Sequence, residues 1–129
     1  TLPGITQTLI ITRAELRTPV PAREKISDLA KHRGTLVFYL SVHLVEGITK
    51  ELLEGDAYTK DTPVAVVYRA GWENQIIIKG TLENITRKVK QARIIKTALI
   101  IVGDVLAPKE YEYSKVYDAA FTHGFRRGD

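Results

Sequence analysis

The sequence has 129 residues, 44% of them hydrophobic and 26% charged, which are the proportions of an ordinary globular domain rather than of a disordered or membrane-embedded chain. Its longest apolar runs, such as Ala98 to Val102, are too short to span a bilayer, and with no Cys the chain excludes disulfides, thiolate catalysis and thiolate metal sites within itself. Nineteen Lys and Arg against fifteen Asp and Glu leave a net charge of +4, gathered at Arg87, Lys88, Lys90, Arg93 and Lys96 and again at Arg126 and Arg127.

The opening Thr-Leu-Pro-Gly has neither a basic nor an apolar leader region, so no secretory signal is expected and a cytoplasmic origin is the default. The sequence contains no Met, not even at its first position, and so reads as a processed chain or an excised segment of a longer one. Gln7 to Arg13 is β-rich around Leu9, Ile10 and Ile11, and runs into the turn-forming Arg17-Thr-Pro-Val-Pro21. Pro21 suits a first helical turn, and Ile26, Leu29 and Ala30 recur at helical spacing, so a helix is expected from about Ala22 to His32. Gly34 breaks it. Thr35 to Leu40 is nearly all apolar, as strands of a parallel sheet buried on both faces are.

Leu44, Val45, Ile48, Leu52 and Leu53 trace one face of a second helix that stops at Gly55, a residue suited to a left-handed cap. Thr62 to Arg69 and Gln75 to Lys79 read as two strands joined by the short turn Ala70 to Glu73, hence an antiparallel pair. Thr81 is the expected N-cap of a third helix carrying Leu82, Ile85, Val89 and Ala92 on one side and the basic cluster mostly on the other. Thr97 to Val102 is the last strand, ended by Gly103-Asp104, and Val105 to Asp129 reads as a loop with a short terminal helix. The order β-α-β-α-β-β-α-β predicts one α/β domain spanning residues 1–129, with a mainly parallel, five-stranded mixed sheet flanked by helices.

No G-x-G-x-x-G, Walker A, G-x-S-x-G or H-E-x-x-H pattern occurs. His32, His43 and His123 are too far apart for a local metal-ligand pair and read as surface or structural residues; no metal site is expected. The basic cluster reads either as a solvated helix face or as an attraction for an anionic partner. Ligands of open α/β sheets bind beyond the carboxyl ends of the strands. Here those ends are Phe38 to Val42, Tyr68 to Trp72 and Ile101 to Asp104, each of which on its own could be no more than a turn.

It is at these ends that a family resemblance shows. TPVAVVYRAGWENQIIIKGTLENI (Thr62 to Ile85) closely resembles the tetrapyrrole methylase pattern of a strand ending Y-R-A, a Trp-containing loop, a second strand and a G-T-L segment. ALIIVGDVL (Ala98 to Leu106) is similar to the family's terminal strand with its glycine. TLIITRAELRTPVP (Thr8 to Pro21) and SKVYDAAFTHGFR (Ser114 to Arg126) resemble segments of the branch that methylates C11 of precorrin-4.

The resemblance implies a homodimer of two-domain chains, of which this is the second domain, with S-adenosylmethionine held between the domains and precorrin-4 or cobalt-precorrin-4 in an adjoining trough during cobalamin biosynthesis. The Gly-rich turn and G-D-P motif of the family's first domain do not occur here, so the chain is expected to hold half a site and to be inactive alone. Carried over, the cofactor contacts fall on Tyr39, Leu40, Tyr68, Arg69, Ala70, Val102 and Gly103. Leu40 stands where most members have Met or a small residue, and Gly71 where Ser is commoner.

A sulfonium methyl is already activated, so the protein's main task is to align a ring carbon with it and exclude water. Arg13, Arg17 and Arg69 are candidates to orient the substrate's carboxylates. Tyr39 and Tyr68 could serve a proton, although buried Tyr is more often packed, and no catalytic residue is assigned. Two other readings stand beside this one. The first is a regulatory module that binds nucleotide or nucleic acid through the basic helix, against which the absence of interleaved aromatics weighs; the second is a structural dimerisation domain.

Overall fold

A computed structural model describes residues 1–15 and 17–109. Strand β1 (Leu9–Thr12) is followed by a 3-10 turn (Ala22–Glu24), helix α1 (Ile26–Ala30) and strand β2 (Thr35–Phe38). A second 3-10 turn (Val42–Leu44) leads into α2 (Val45–Glu54). Then come β3 (Pro63–Tyr68), β4 (Ile76–Thr81), α3 (Ile85–Gln91), β5 (Ala98–Val102) and a closing 3-10 turn (Asp104–Leu106).

The five strands form one sheet in the order β1-β2-β5-β3-β4. It is not mainly parallel, as the alternation of strands and helices predicts. β1 and β2 pair in parallel, while β2 with β5, β5 with β3 and β3 with β4 are antiparallel. The reason is the hairpin. It reverses the chain at β4, so α3 returns β5 in the reversed sense, and β5 inserts between β2 and β3 instead of joining an edge.

The three helices among the described residues lie against one face of this sheet. Leu36, Phe38, Val64, Val66, Ile100 and Val102 form a single buried cluster with Ile26, Ala30, Val45, Ile48, Leu52, Ile85 and Val89. Strand side chains alternate between faces, so the other set, Leu9, Ile11, Val37, Val67, Ile77, Leu99 and Ile101, stands outside that cluster.

Three local expectations change for physical reasons. The first helix is cut to Ile26–Ala30 because Lys25 is extended (ψ 144°), and Ile26 and Ala30 are its buried residues; the turn before it buries none. Thr81 stays in β4 opposite Pro63, and α3 starts after Asn84, whose Oδ1 accepts the Thr81 N–H at 3.1 Å. A Cβ at Gly80 would collide with that same Asn84 oxygen, which accounts for the glycine. Gly55 ends α2 in extended rather than left-handed backbone (φ −96°, ψ 172°). The terminal helix expected within Val105 to Asp129 falls largely on residues 110–129, outside the described residues.

Tyr58 closes the far edge of the sheet. Its hydroxyl donates to the Gly34 carbonyl at 2.7 Å. Burial, reinforced by the charge of Asp104 and opposed by Arg33, pushes its phenol from 10.0 up to about 12. The folded state thus holds this proton more tightly than the unfolded chain, so the stabilisation is complete below pH 10.0 and is lost as pH rises towards about 12. Urea unfolding across that window should show stability falling by up to about 1.4 kcal/mol per pH unit. Tyr58→Phe should remove this component of the slope and cost about 1–2 kcal/mol at neutral pH, because the Gly34 carbonyl loses its donor.

Candidate functional site

Because β2 and β3 run in the same sense while β5 runs against both, the exits of β2 and β3 share one edge with the entry of β5. The register fixes this: Phe38 lies opposite Ile100 and Tyr68 opposite Ala98. Three chain segments converge there.

After β2, the Tyr39 N–H donates to the Thr12 carbonyl at 3.0 Å, and the chain turns through Leu40 at φ 53°. Ser41, fully buried, fastens the turn: its hydroxyl accepts the Ala14 N–H at 2.8 Å and donates to the Tyr39 carbonyl at 2.7 Å. After β3, Arg69 also takes positive φ (48°), with its N–H donating to the Thr97 carbonyl at 2.9 Å. The Arg69 carbonyl accepts the Trp72 N–H at 3.0 Å, and the Gly71 N–H donates to Gln75 Oε1 at 2.8 Å. A Cβ at Gly71 would meet open space, but φ is +80° there, so it is conformation rather than room that suits glycine. The Arg69 guanidinium lies 5.1 Å from the centre of the Tyr68 ring and 5.3 Å from that of Trp72, within cation–π range of both. Thr97, at φ 58°, leads into β5.

Together these segments line a pocket of about 490 Å³, from Tyr39, Leu40, Val42 and His43, through Val67, Arg69, Ala70 and Trp72, to Ile95, Lys96, Thr97, Ala98 and Leu99. Its rim exposes Tyr39, Leu40, Trp72 and Ile95. Its ionisable side chains are Tyr39, His43, Arg69 and Lys96, with no carboxylate among the lining residues. An apolar wall with a few polar and cationic groups, of this size, suits a small organic ligand carrying negative charge or a flat ring.

Backbone strain marks the same place. Five non-glycine residues among those described have positive φ: Arg33 and Arg93 just after α1 and α3, and Leu40, Arg69 and Thr97 in the pocket wall. The left-handed region costs an L-residue about 1–2 kcal/mol, most for a β-branched one, and such strain gathers at functional sites. Thr97→Gly should therefore raise stability by about 1 kcal/mol, read as a higher urea midpoint. Little packing is at stake, since Thr97 is exposed.

Of the residues singled out from sequence, Tyr39, Leu40, Arg69 and Ala70 line the pocket, and Tyr68 lies at its edge, half-buried beneath Arg69. Val102 and Gly103 do not join them. Val102 pairs with Leu36 and Val64, and the Gly103 N–H donates to the Pro63 carbonyl at 3.0 Å, all at the opposite edge of the sheet. The exit of β5 therefore does not line this pocket; the reversed strand brings its entry, Ile95 to Leu99, there instead. A close Cβ approach to Thr35 and positive φ (144°) explain Gly103 structurally.

Arg13 and Arg17 line an adjoining hollow of about 310 Å³ that shares Leu40 and His43 with the main pocket. Arg13 folds its own loop, donating to the Thr18 carbonyl at 2.9 Å and the Pro19 carbonyl at 3.0 Å; Arg17 is exposed at the rim. His43, read from sequence as a surface or structural residue, faces both hollows, whereas His32 is exposed beyond α1 and His123 lies outside the described residues.

Among the described residues no group of three or more His, Asp or Glu could hold a metal, and no helix is long and apolar enough to cross a membrane. The basic helix face is partly engaged within the fold. Lys88 Nζ donates to the Lys79 carbonyl at 2.7 Å, Lys90 pairs with Glu46 at 2.6 Å and holds that exposed carboxyl below its usual range, and Lys96 turns to the pocket.

Residues 2–86 match the family of tetrapyrrole (corrin/porphyrin) methylases. The chain is 54% identical over 127 residues to a cobalt-precorrin-4 C(11)-methyltransferase of Methanocaldococcus jannaschii, covering 98% of this chain and 49% of that protein. It is 44% identical over 129 residues to a precorrin-4 C(11)-methyltransferase of Pseudomonas aeruginosa, covering 100% of this chain and 51% of the relative. The X-ray structure of a cobalt precorrin-4 methyltransferase superposes with a TM-score of 0.80 at 42% identity, over 84% of this chain and 45% of the other. The chain thus spans about half the length of the relatives it matches.

Proposed function

Because the chain belongs to the tetrapyrrole methylase family, we propose that it is the carboxy-terminal half of a cytoplasmic, homodimeric enzyme that transfers a methyl group from S-adenosylmethionine to C11 of precorrin-4 or cobalt-precorrin-4 in cobalamin biosynthesis. The observation that carries the reading is the convergence of three strained segments, at Leu40, Arg69 and Thr97, around a pocket at the edge where a ligand of an open sheet is expected. Half a chain supplies half a site: the cofactor is enclosed once the remainder of the protein forms the opposite wall, and the isolated chain is inactive.

The cofactor brings an activated methyl on sulfur. What these residues contribute is position and dryness. Tyr39, Leu40, Trp72 and Ile95 present apolar surface that excludes water from the cofactor. The turns at Leu40 and Ala70 bring their backbone to the pocket wall. Val102 and Gly103 support the sheet from its other edge. Arg69, within cation–π range of two rings, holds a substrate carboxylate, and Arg17 at the rim of the adjoining hollow is placed for a second. Arg13 shapes the loop that carries Arg17. His43, facing both hollows, sits where cofactor and substrate would meet.

The test is transfer of a labelled methyl group from S-adenosylmethionine to precorrin-4 and to cobalt-precorrin-4 by the protein extended to the length of its relatives. Arg69→Ala should lower kcat/KM by about 10- to 100-fold, the loss of one charge-assisted contact. A folded, cofactor-binding protein that methylates neither compound overturns the assignment.

A further inference from the structure

Among the described residues, His43 is the one ionisable side chain that lines both the main pocket and the adjoining hollow. Its backbone is fixed on either side. It lies in the 3-10 turn Val42–Leu44, between Val42, which is buried, and Leu44, which packs against the core. The Leu44 N–H donates to the Ser41 carbonyl at 2.9 Å, and the Ser41 hydroxyl ties this turn to the loop after β1. A histidine kept for packing would be enclosed by the core, whereas His43 is exposed.

Methyl transfer to a ring carbon leaves a proton to be removed. The S–CH3 bond breaks with its electron pair staying on sulfur, and the new C–C bond takes an electron pair from the macrocycle. The positive charge thus passes from sulfur to the ring system, which discharges it by giving up a proton from an N–H or C–H in conjugation with the new bond. The ionisable groups around the two hollows are Tyr39, His43, Arg69 and Lys96 in one and Arg13 and Arg17 in the other, and neither is lined by a carboxylate. Glu46, at the start of α2, is paired with Lys90 at 2.6 Å. Guanidinium, ammonium and phenol groups keep their protons near neutral pH, whereas an imidazole offers a free lone pair there.

We propose that His43 is the catalytic base: its imidazole accepts the proton that the macrocycle loses on methylation and releases it to solvent at the exposed rim. The assignment rests on the methyl-transfer reading of this site and adds to it the residue that completes the reaction. A positioned base of this kind contributes about 10²- to 10⁴-fold to a rate.

The experiment uses the protein extended to the length of its relatives, with labelled S-adenosylmethionine and whichever of precorrin-4 and cobalt-precorrin-4 it methylates. His43→Ala should lower the single-turnover rate by about 100-fold or more, while affinity for S-adenosylhomocysteine stays within about threefold. Imidazole added to the assay should restore that variant by about tenfold or more and leave the parent protein unchanged, since a free base then fills the vacated space. His43→Gln, which takes no proton, should be as slow as His43→Ala. The site is exposed, so both variants should fold, as circular dichroism checks. A rate within about threefold of the parent's, a loss matched by lost S-adenosylhomocysteine affinity, or a slow His43→Ala that imidazole does not restore overturns the assignment of the base. In each of those results the parent still methylates and the methyl-transfer reading stands; a parent that methylates neither compound overturns both.

Discussion

Phe38→Ala is expected to destabilise the domain by about 3–5 kcal/mol, the cost of truncating a fully enclosed aromatic ring. Phe38 is 0% exposed, ends β2 between Thr12 of β1 and Ile100 of β5, and lies within the single core cluster. Domains of this size hold only about 5–15 kcal/mol in total, so urea denaturation should show about a fifth of the stability or more gone. Tyr39, one residue on, makes the contrast. It faces the pocket and is 39% exposed, so Tyr39→Ala should cost well under half as much. The boundary between scaffold and site falls between these adjacent aromatics.

Ser41→Ala removes a single oxygen and is expected to reach both stability and binding. That hydroxyl is the partner of the Ala14 N–H at 2.8 Å and of the Tyr39 carbonyl at 2.7 Å, in a residue with no exposed surface. Leaving the buried N–H without an acceptor costs about 1–3 kcal/mol. The same bond ties the loop after β1 to the turn after β2, which holds Leu40 at positive φ. With the tie gone, Leu40 can relax to ordinary backbone and the pocket wall moves. In the extended protein, affinity for S-adenosylhomocysteine should fall by about tenfold or more, as positional errors of an ångström do in organised sites. A loss of stability with unchanged affinity would restrict Ser41 to a structural role.

Much of this is legible in the sequence because local chemistry and fold agree. The apolar runs of Thr35 to Phe38, Pro63 to Tyr68 and Ala98 to Val102 are strands, and the Gly-containing turn between β3 and β4 makes an antiparallel hairpin. Strand order is different in kind. It depends on which neighbour a returning strand finds, and nothing in Ala98 to Val102 says that β5 inserts between β2 and β3. That Val102 and Gly103 lie at the edge away from the pocket follows from that one unknown. A strand read in the wrong sense offers its exit where its entry lies.

The family resemblance marked Tyr39, Leu40, Arg69 and Ala70, all of which meet at the pocket. It left out His43 and Thr97. His43 has no partner nearby in sequence to suggest a site. The signal for Thr97 is a long-range hydrogen bond, its carbonyl accepting the Arg69 N–H at 2.9 Å, and strain imposed by tertiary contacts is invisible in a propensity. The caps failed for a related reason. Thr81 suits an N-cap by composition, but its pairing with Pro63 keeps it in β4, and the helix starts after Asn84, whose side chain caps no helical N–H and accepts the Thr81 N–H instead.

The central claim is that this chain carries one wall of a cofactor pocket at the shared edge of β2, β3 and β5. Titrating the isotopically labelled chain with S-adenosylhomocysteine while following its backbone amide resonances tests it most directly. The account predicts weak, fast-exchanging binding, with shifts confined to residues 39–43, 69–72 and 95–99. Tight binding to the chain alone, or shifts centred on Val102 and Gly103 at the opposite edge, would contradict it.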